Sequence, residues 1–101
     1  MKMFDRKSIT KTVQVSDPEN WYGEDTVMVE LYIAPPHNGE IRVRIVVHTI
    51  DDFSVVYERV HSTKYPNYAL GAYEHMKKWM FNTIPEEVNL NWFYRHGYYC
   101  N

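Results

Sequence analysis

Two stretches of strict alternation constrain this chain most. Residues 26–34 place Val27, Val29, Leu31 and Ile33 on one parity and Met28, Glu30 and Tyr32 on the other. Residues 41–50 repeat the pattern, with Ile41, Val43, Ile45 and Val47 set against Arg42, Arg44, Val46 and His48. Successive side chains leave a pleated strand on opposite sides, so a period of two marks a half-buried strand. Between the stretches lies PPHNGE, residues 35–40. Proline cannot donate to a ladder, and Asn38-Gly39 accepts positive φ, so a bend is expected there. Register decides its length. A two-residue Asn-Gly turn opposes Ile33 to Arg44 and mixes the faces. A loop over residues 34–40 keeps Val/Ile against Val/Ile and sets Glu30 opposite Arg44 and Tyr32 opposite Arg42. The longer loop is therefore the expectation.

Two further strands flank this pair. Residues 8–16 carry Ile9, Val13 and Val15 on one parity, interrupted by Lys11 as near a sheet edge. After Asp51-Asp52, residues 53–60 carry Phe53, Val55 and Tyr57 on one parity and Val56 and Val60 on the other. A tight turn there puts Phe53, Val55 and Tyr57 on the side opposite the main core, an apolar patch in need of a cover.

A helix is expected over residues 63–82. Ser62 or Thr63 can cap it, and Pro66 suits its first turn. Ala69, Ala72, Tyr73, Met76, Trp79, Met80 and Thr83 follow the i, i+3, i+4 spacing of a packed face. Lys77 and Lys78 suit the negative end of its dipole. Beyond Pro85 the pattern reads two ways. Val88, Leu90, Trp92 and Tyr94 alternate as in a strand, yet Ile84-Pro85-Glu86-Glu87 is a good helix start and Gly97 a good stop. A helix or an irregular cover is favoured. The fold class expected is α+β: an antiparallel four-stranded meander (β-β-β-β-α), one main helix on one face, and an aromatic C-terminal segment.

At 101 residues the chain makes one domain, residues 1–101, with room for a core that needs no disulfide or metal. One cysteine, no apolar h-region after Met1 and no run long enough to span a bilayer point to a reducing cytosol, that of a host cell included. A net charge of −2 fits neither a basic nucleic-acid binder nor a strongly acidic mimic.

Catalytic chemistry is hard to place. The five histidines and Cys100 lack zinc-ligand spacing, so no metal is expected. Cys100, next to last, is a poor position for a preorganised nucleophile. The pairs Glu24-Asp25, Asp51-Asp52 and Glu86-Glu87 read as turns or helix starts. The glycines form no phosphate loop, and no cofactor is expected.

What stands out is aromatic surplus: nine Tyr, three Trp and four Phe. Tyr, Trp and Arg concentrate binding energy at interfaces. The expectation is a non-enzymatic protein-binding module contacting its partner through Trp21, Tyr22, Tyr65, Tyr68, Arg95, Tyr98 and Tyr99. It is analogous in kind to small phage or mobile-element proteins that modulate or inhibit a host protein, or it is a homodimer. The alternative is nucleic-acid binding on a sheet face built from Tyr32, Arg42, Arg44 and Arg59, where aromatics stack bases.

Overall fold

A computed structural model describes residues 8–17 and 23–97. The element order is β1 (Ser8–Val15), β2 (Thr26–His37), β3 (Glu40–Thr49), β4 (Val55–Thr63), α1 (Pro66–Asn82), β5 (Glu87–Val88) and α2 (Trp92–His96). The sheet has five strands in the order β4-β3-β2-β1-β5, not the four expected. The first four form an antiparallel meander. β5 joins β1 in parallel through Gln14–Glu87 and Val15–Val88. Two residues are too few to leave a periodic signature, so this strand was not legible.

Two bulges set the geometry. The β2–β3 hairpin does turn on two residues, Asn38 (φ 53°) and Gly39 (φ 77°). Positive φ at both positions is what a two-residue hairpin with matched twist requires. The seven-residue loop is therefore overturned. Parity is rescued by one extra residue in β2 between Ala34 and His37, at the proline pair. Prolines that cannot join a ladder are at home in a bulge. The resulting register sets Tyr32 against Arg44, Ala34 against Arg42 and Glu30 against Val46, in place of the Glu30–Arg44 and Tyr32–Arg42 pairs expected.

The second bulge lies in β4. His48 pairs with Val55, but Val47 pairs with Tyr57, so Val56 is the extra residue. The slip turns Tyr57 onto the main core face, against the outward placement expected for it. Val56 and Tyr57 are both buried. Downstream, Arg59 and His61 pair with Ile45 and Val43 on the core face, while Glu58, Val60 and Ser62 pair with Val46, Arg44 and Arg42 on the outer face.

Val13, Val27, Val29, Leu31, Ile33, Ile41, Val43, Ile45 and Val47 line the core face, and α1 closes it with Ala69, Tyr73, Met76 and Met80. The helix starts at Pro66, because β4 runs on to Thr63. Among the described residues no side chain caps its N-terminus, though Thr63 Oγ1 accepts the Tyr65 amide at 3.2 Å. Nor do Lys77 and Lys78 serve its last turn. Lys11 does, reaching across from β1 so that Nζ donates to the carbonyls of Met80 at 3.1 Å and Ile84 at 3.3 Å. The break in the β1 apolar pattern thus has a cause: a cation satisfies carbonyls that a helix end leaves unpaired.

The C-terminal aromatics complete the same core. Phe93 is fully buried, its ring stacked 5.9 Å from that of Tyr57. Trp92 stacks on Trp79 of α1 at 6.1 Å. Docking of Trp92 and Phe93 is therefore as expected, but on the helix side. The expected cover over the second face is not what they form. Gly97 passes so close to Tyr57 Oη and the Phe93 carbonyl that a Cβ would not fit.

Candidate functional site

With α1 and α2 both on one side, no described helix covers the outer face, where Val46 and His48 are nonetheless buried, and the β4 margin is exposed. Among the described residues β4 has a strand neighbour on one side only. β4 is nine residues long, and from Glu58 to Val60 it is exposed on both faces. Natural sheets usually shorten, charge or cover such an edge. Here apolar side chains stand along it: Val60 is 47% exposed, Val55 50% and Phe53 67%. Phe53 also holds φ +58°. That region costs a residue bearing a Cβ about 1–2 kcal/mol. A strained, solvent-facing aromatic is a feature expected of functional surfaces. Its ring leans on His48 at 5.2 Å.

The turn leading into β4 is held firmly. Thr49, fully buried, donates its hydroxyl to Asp52 Oδ1 at 2.5 Å and accepts the Ser54 amide at 2.9 Å. Asp52 also accepts from the Ser54 amide and hydroxyl. The hydrogen bonds from Thr49 and then Ser54 hold its carboxyl below the usual aspartate range. Across the gap, Glu24 accepts the amides of Ile50 and Asp51 at 2.9 and 3.2 Å. Two of the three acidic pairs are therefore structural in part, as turn chemistry suggested.

Two interactions bound the exposed part of β4. At its start the Tyr94 hydroxyl donates to the Val56 carbonyl, and the Tyr94 ring meets Tyr57 edge-on at 5.8 Å. At its far end the chain leaves the sheet for α1, where Tyr65 and Tyr68, 61% and 65% exposed, form an edge-to-face pair at 5.4 Å. Between them Glu58, Arg59 and Val60 are exposed to solvent.

On the outer face beside this edge lies a shallow hollow of about 310 Å³ lined by Tyr32, Ala34, Arg42, Arg44, Glu58 and Val60. The Arg44 guanidinium bonds Glu58 and donates to Tyr32 Oη at 2.7 Å. Burial pulls its pKa down, but these two partners outweigh that and hold it above the ordinary value. Arg42 is exposed and makes no ion pair with a described residue.

The expected site residues thus separate. Tyr32, Arg42 and Arg44 do converge on one surface. Arg59 does not join them, because the Val56 bulge turns it to the core face, where Nε donates to Tyr57 Oη at 3.1 Å. Tyr65 and Tyr68 sit at the start of α1, whereas Arg95 lies on α2, whose Trp92 packs at the other end of that helix. From Tyr68 to Trp79 is a rise of about 16 Å at helical spacing, so these do not form one patch. Arg95 instead borders a hollow of about 460 Å³ with Ser16, Glu87, Asn89, Trp92 and His96. Trp21, Tyr22, Tyr98, Tyr99 and Cys100 lie outside the described residues. Phe53 and Val55 are exposed where an outward apolar patch was expected, while the exposed Val60 and Tyr94 beside them were not singled out from the sequence. The signal for Val60 was the fourth strand without a cleanly polar face.

No family model, curated protein or solved structure matches this chain. Among the described residues no helix is long and apolar enough to cross a membrane, and no group of three or more His, Cys, Asp or Glu is placed to hold a metal ion.

Proposed function

We propose that this chain is a non-enzymatic protein-binding module that engages its partner by strand addition along β4. One observation carries the reading: a long edge strand keeps exposed valines on its rim and a strained, exposed Phe53 at its entrance. An added strand gains affinity from main-chain hydrogen bonds and specificity from alternate side chains. The rigid turn at Thr49–Ser54 and the aromatic backing of Tyr57, Phe93 and Tyr94 keep the strand in a binding-ready shape. Less ordering then opposes association.

The test compares the wild-type chain with Val60→Lys, by light scattering of the purified protein and by affinity capture from the native host. The reading expects self-association or a captured protein that the variant loses. A strict monomer retaining no protein that Val60→Lys releases overturns it.

A second reading, nucleic-acid binding, is favoured by the convergence of Tyr32, Arg42 and Arg44 around one hollow. It ranks lower because the Arg44 charge is already matched by Glu58. It requires salt-sensitive retention of a nucleic-acid probe that is lost on Arg44→Glu.

A further inference from the structure

We infer that Asn38 is a site of spontaneous covalent modification gated by the tip of the β2–β3 hairpin. It is shielded while the turn is closed, and converts to aspartate or isoaspartate when the tip opens, without unfolding of the core. This goes beyond the binding reading and does not depend on it.

Reactivity comes from the sequence. Asn38 is the only asparagine in the chain with glycine after it. The step is a ring closure. The Gly39 backbone nitrogen gives up its proton and bonds to Asn38 Cγ, the Cγ–Nδ2 bond breaks, and ammonia leaves with that proton. The five-membered succinimide then takes up water, the one co-reactant. Opening at Cγ gives aspartate. Opening at the main-chain carbonyl gives isoaspartate, with the chain routed through Cβ and Cγ. A side chain on the following residue crowds this closure. Gly39 has none, and among the described residues a Cβ there would meet no heavy atom within 4 Å.

The closed turn opposes the step. Asn38 holds φ 53°. In that left-handed region ψ is about +47°. Given the tetrahedral offset of Cβ, the Gly39 nitrogen then stands nearly anti to Cβ across the Cα–C bond, far from Cγ. Ring closure needs the two eclipsed, so the turn must first come apart.

The tip is built to do that. Residues 35–40 are all exposed. Beyond the Ala34–Arg42 pair only His37–Glu40 closes the hairpin, and the prolines between supply no amide. A turn closed by one pair, with no buried side chain, opens far more readily than core strands. The other asparagines differ. Asn67 and Asn82 lie in α1, and Asn89 Oδ1 accepts the Trp92 amide. The two products also differ in effect. Aspartate tolerates left-handed φ as asparagine does, so the turn survives with an added negative charge. Isoaspartate adds a main-chain carbon to a two-residue turn, so its match to the strand twist is lost.

The experiment incubates the full chain in mildly alkaline buffer, folded or unfolded in urea. Peptide mapping by mass spectrometry, with a separation that resolves isoaspartate, follows each asparagine. When chemistry is slow relative to reclosing, the rate tracks the open population. Folded Asn38 should convert faster than Asn67, Asn82 and Asn89, yet about tenfold or more slower than in urea. Phe93→Ala raises the globally unfolded population about a hundredfold but should leave the Asn38 rate within about twofold. Gly97→Ala, a milder destabilisation far from the tip, gives the same comparison if Phe93→Ala does not fold. Asn38 converting no faster than Asn67, Asn82 and Asn89 overturns the site. A folded rate equal to that in urea overturns the shielding. A rate that climbs with Phe93→Ala or Gly97→Ala overturns local opening.

Discussion

Phe93→Ala tests how the chain end completes the core. Phe93 is 0% exposed, stacks 5.9 Å from the Tyr57 ring and meets Trp92 edge-on at 5.3 Å. Removing a buried phenylalanine ring costs about 3–5 kcal/mol, combining lost transfer energy with the cavity left behind. Phe93 stands on the short terminal helix α2, whose shift can partly close the cavity, so the lower part of that range applies: about 3 kcal/mol. Domains of this size hold about 5–15 kcal/mol, so the variant should fold but be far weaker. In urea, with a slope of about 1–3 kcal/mol per molar, the midpoint should fall by about 1.5 M at unchanged slope. The thermal midpoint should fall by about 12–24 °C. Truncation after Leu90, which also removes Trp92 and the Tyr94 bond to β4, should cost more than the point variant. A Phe93→Ala midpoint within 0.3 M of wild type, or a truncated chain of unchanged stability, would refute the placement of this segment in the core.

Three other outcomes are expected. Gly97→Ala should destabilise by about 1–3 kcal/mol in urea unfolding, because the new methyl group meets Tyr57 Oη and the Phe93 carbonyl. Lys11→Met should cost about 1.5 kcal/mol, since the carbonyls of Met80 and Ile84 lose a charged donor. The hydrogen bonds from Thr49 and Ser54 hold the folded-state pKa of Asp52 below its ordinary value. Its carboxylate therefore stabilises the fold above that ordinary value and ceases to do so as pH falls through the lower, folded value. The stability gap between wild type and Asp52→Asn should shrink on acidification below about pH 4, measured by urea titrations across pH.

Much of the fold was legible because it is written in periodicity. The alternation of β2 and β3 and the spacing of Ala69, Tyr73, Met76 and Met80 led directly to a sheet with one helix on it. What escaped reading was single-residue insertion. In a regular ladder an Asn38-Gly39 turn would mix the faces, and the bulge at Pro35-Pro36 removes that conflict. Proline at the end of a strand reads as termination and as a bulge alike, and only pairing distinguishes them. The Val56 bulge had no such marker. It moved Arg59 off the basic face, turned Tyr57 inward and left Val60 on the rim. One inserted residue therefore reassigned both a site residue and the aromatic cover. Lys11 shows the converse, where an apparent flaw in an apolar stripe marks a tertiary bond to a helix end.

The central claim is that the exposed part of β4, residues 58–60, is covered when the protein acts. Residue-resolved amide hydrogen exchange, followed from dilute to concentrated protein, measures this directly. Those of its amides that point away from β3 should exchange quickly in dilute solution and become protected as concentration rises or when a captured partner binds, with Val60→Lys abolishing the protection. Amides already protected in dilute protein, or equally exposed at every concentration and with any captured partner bound, would contradict the account.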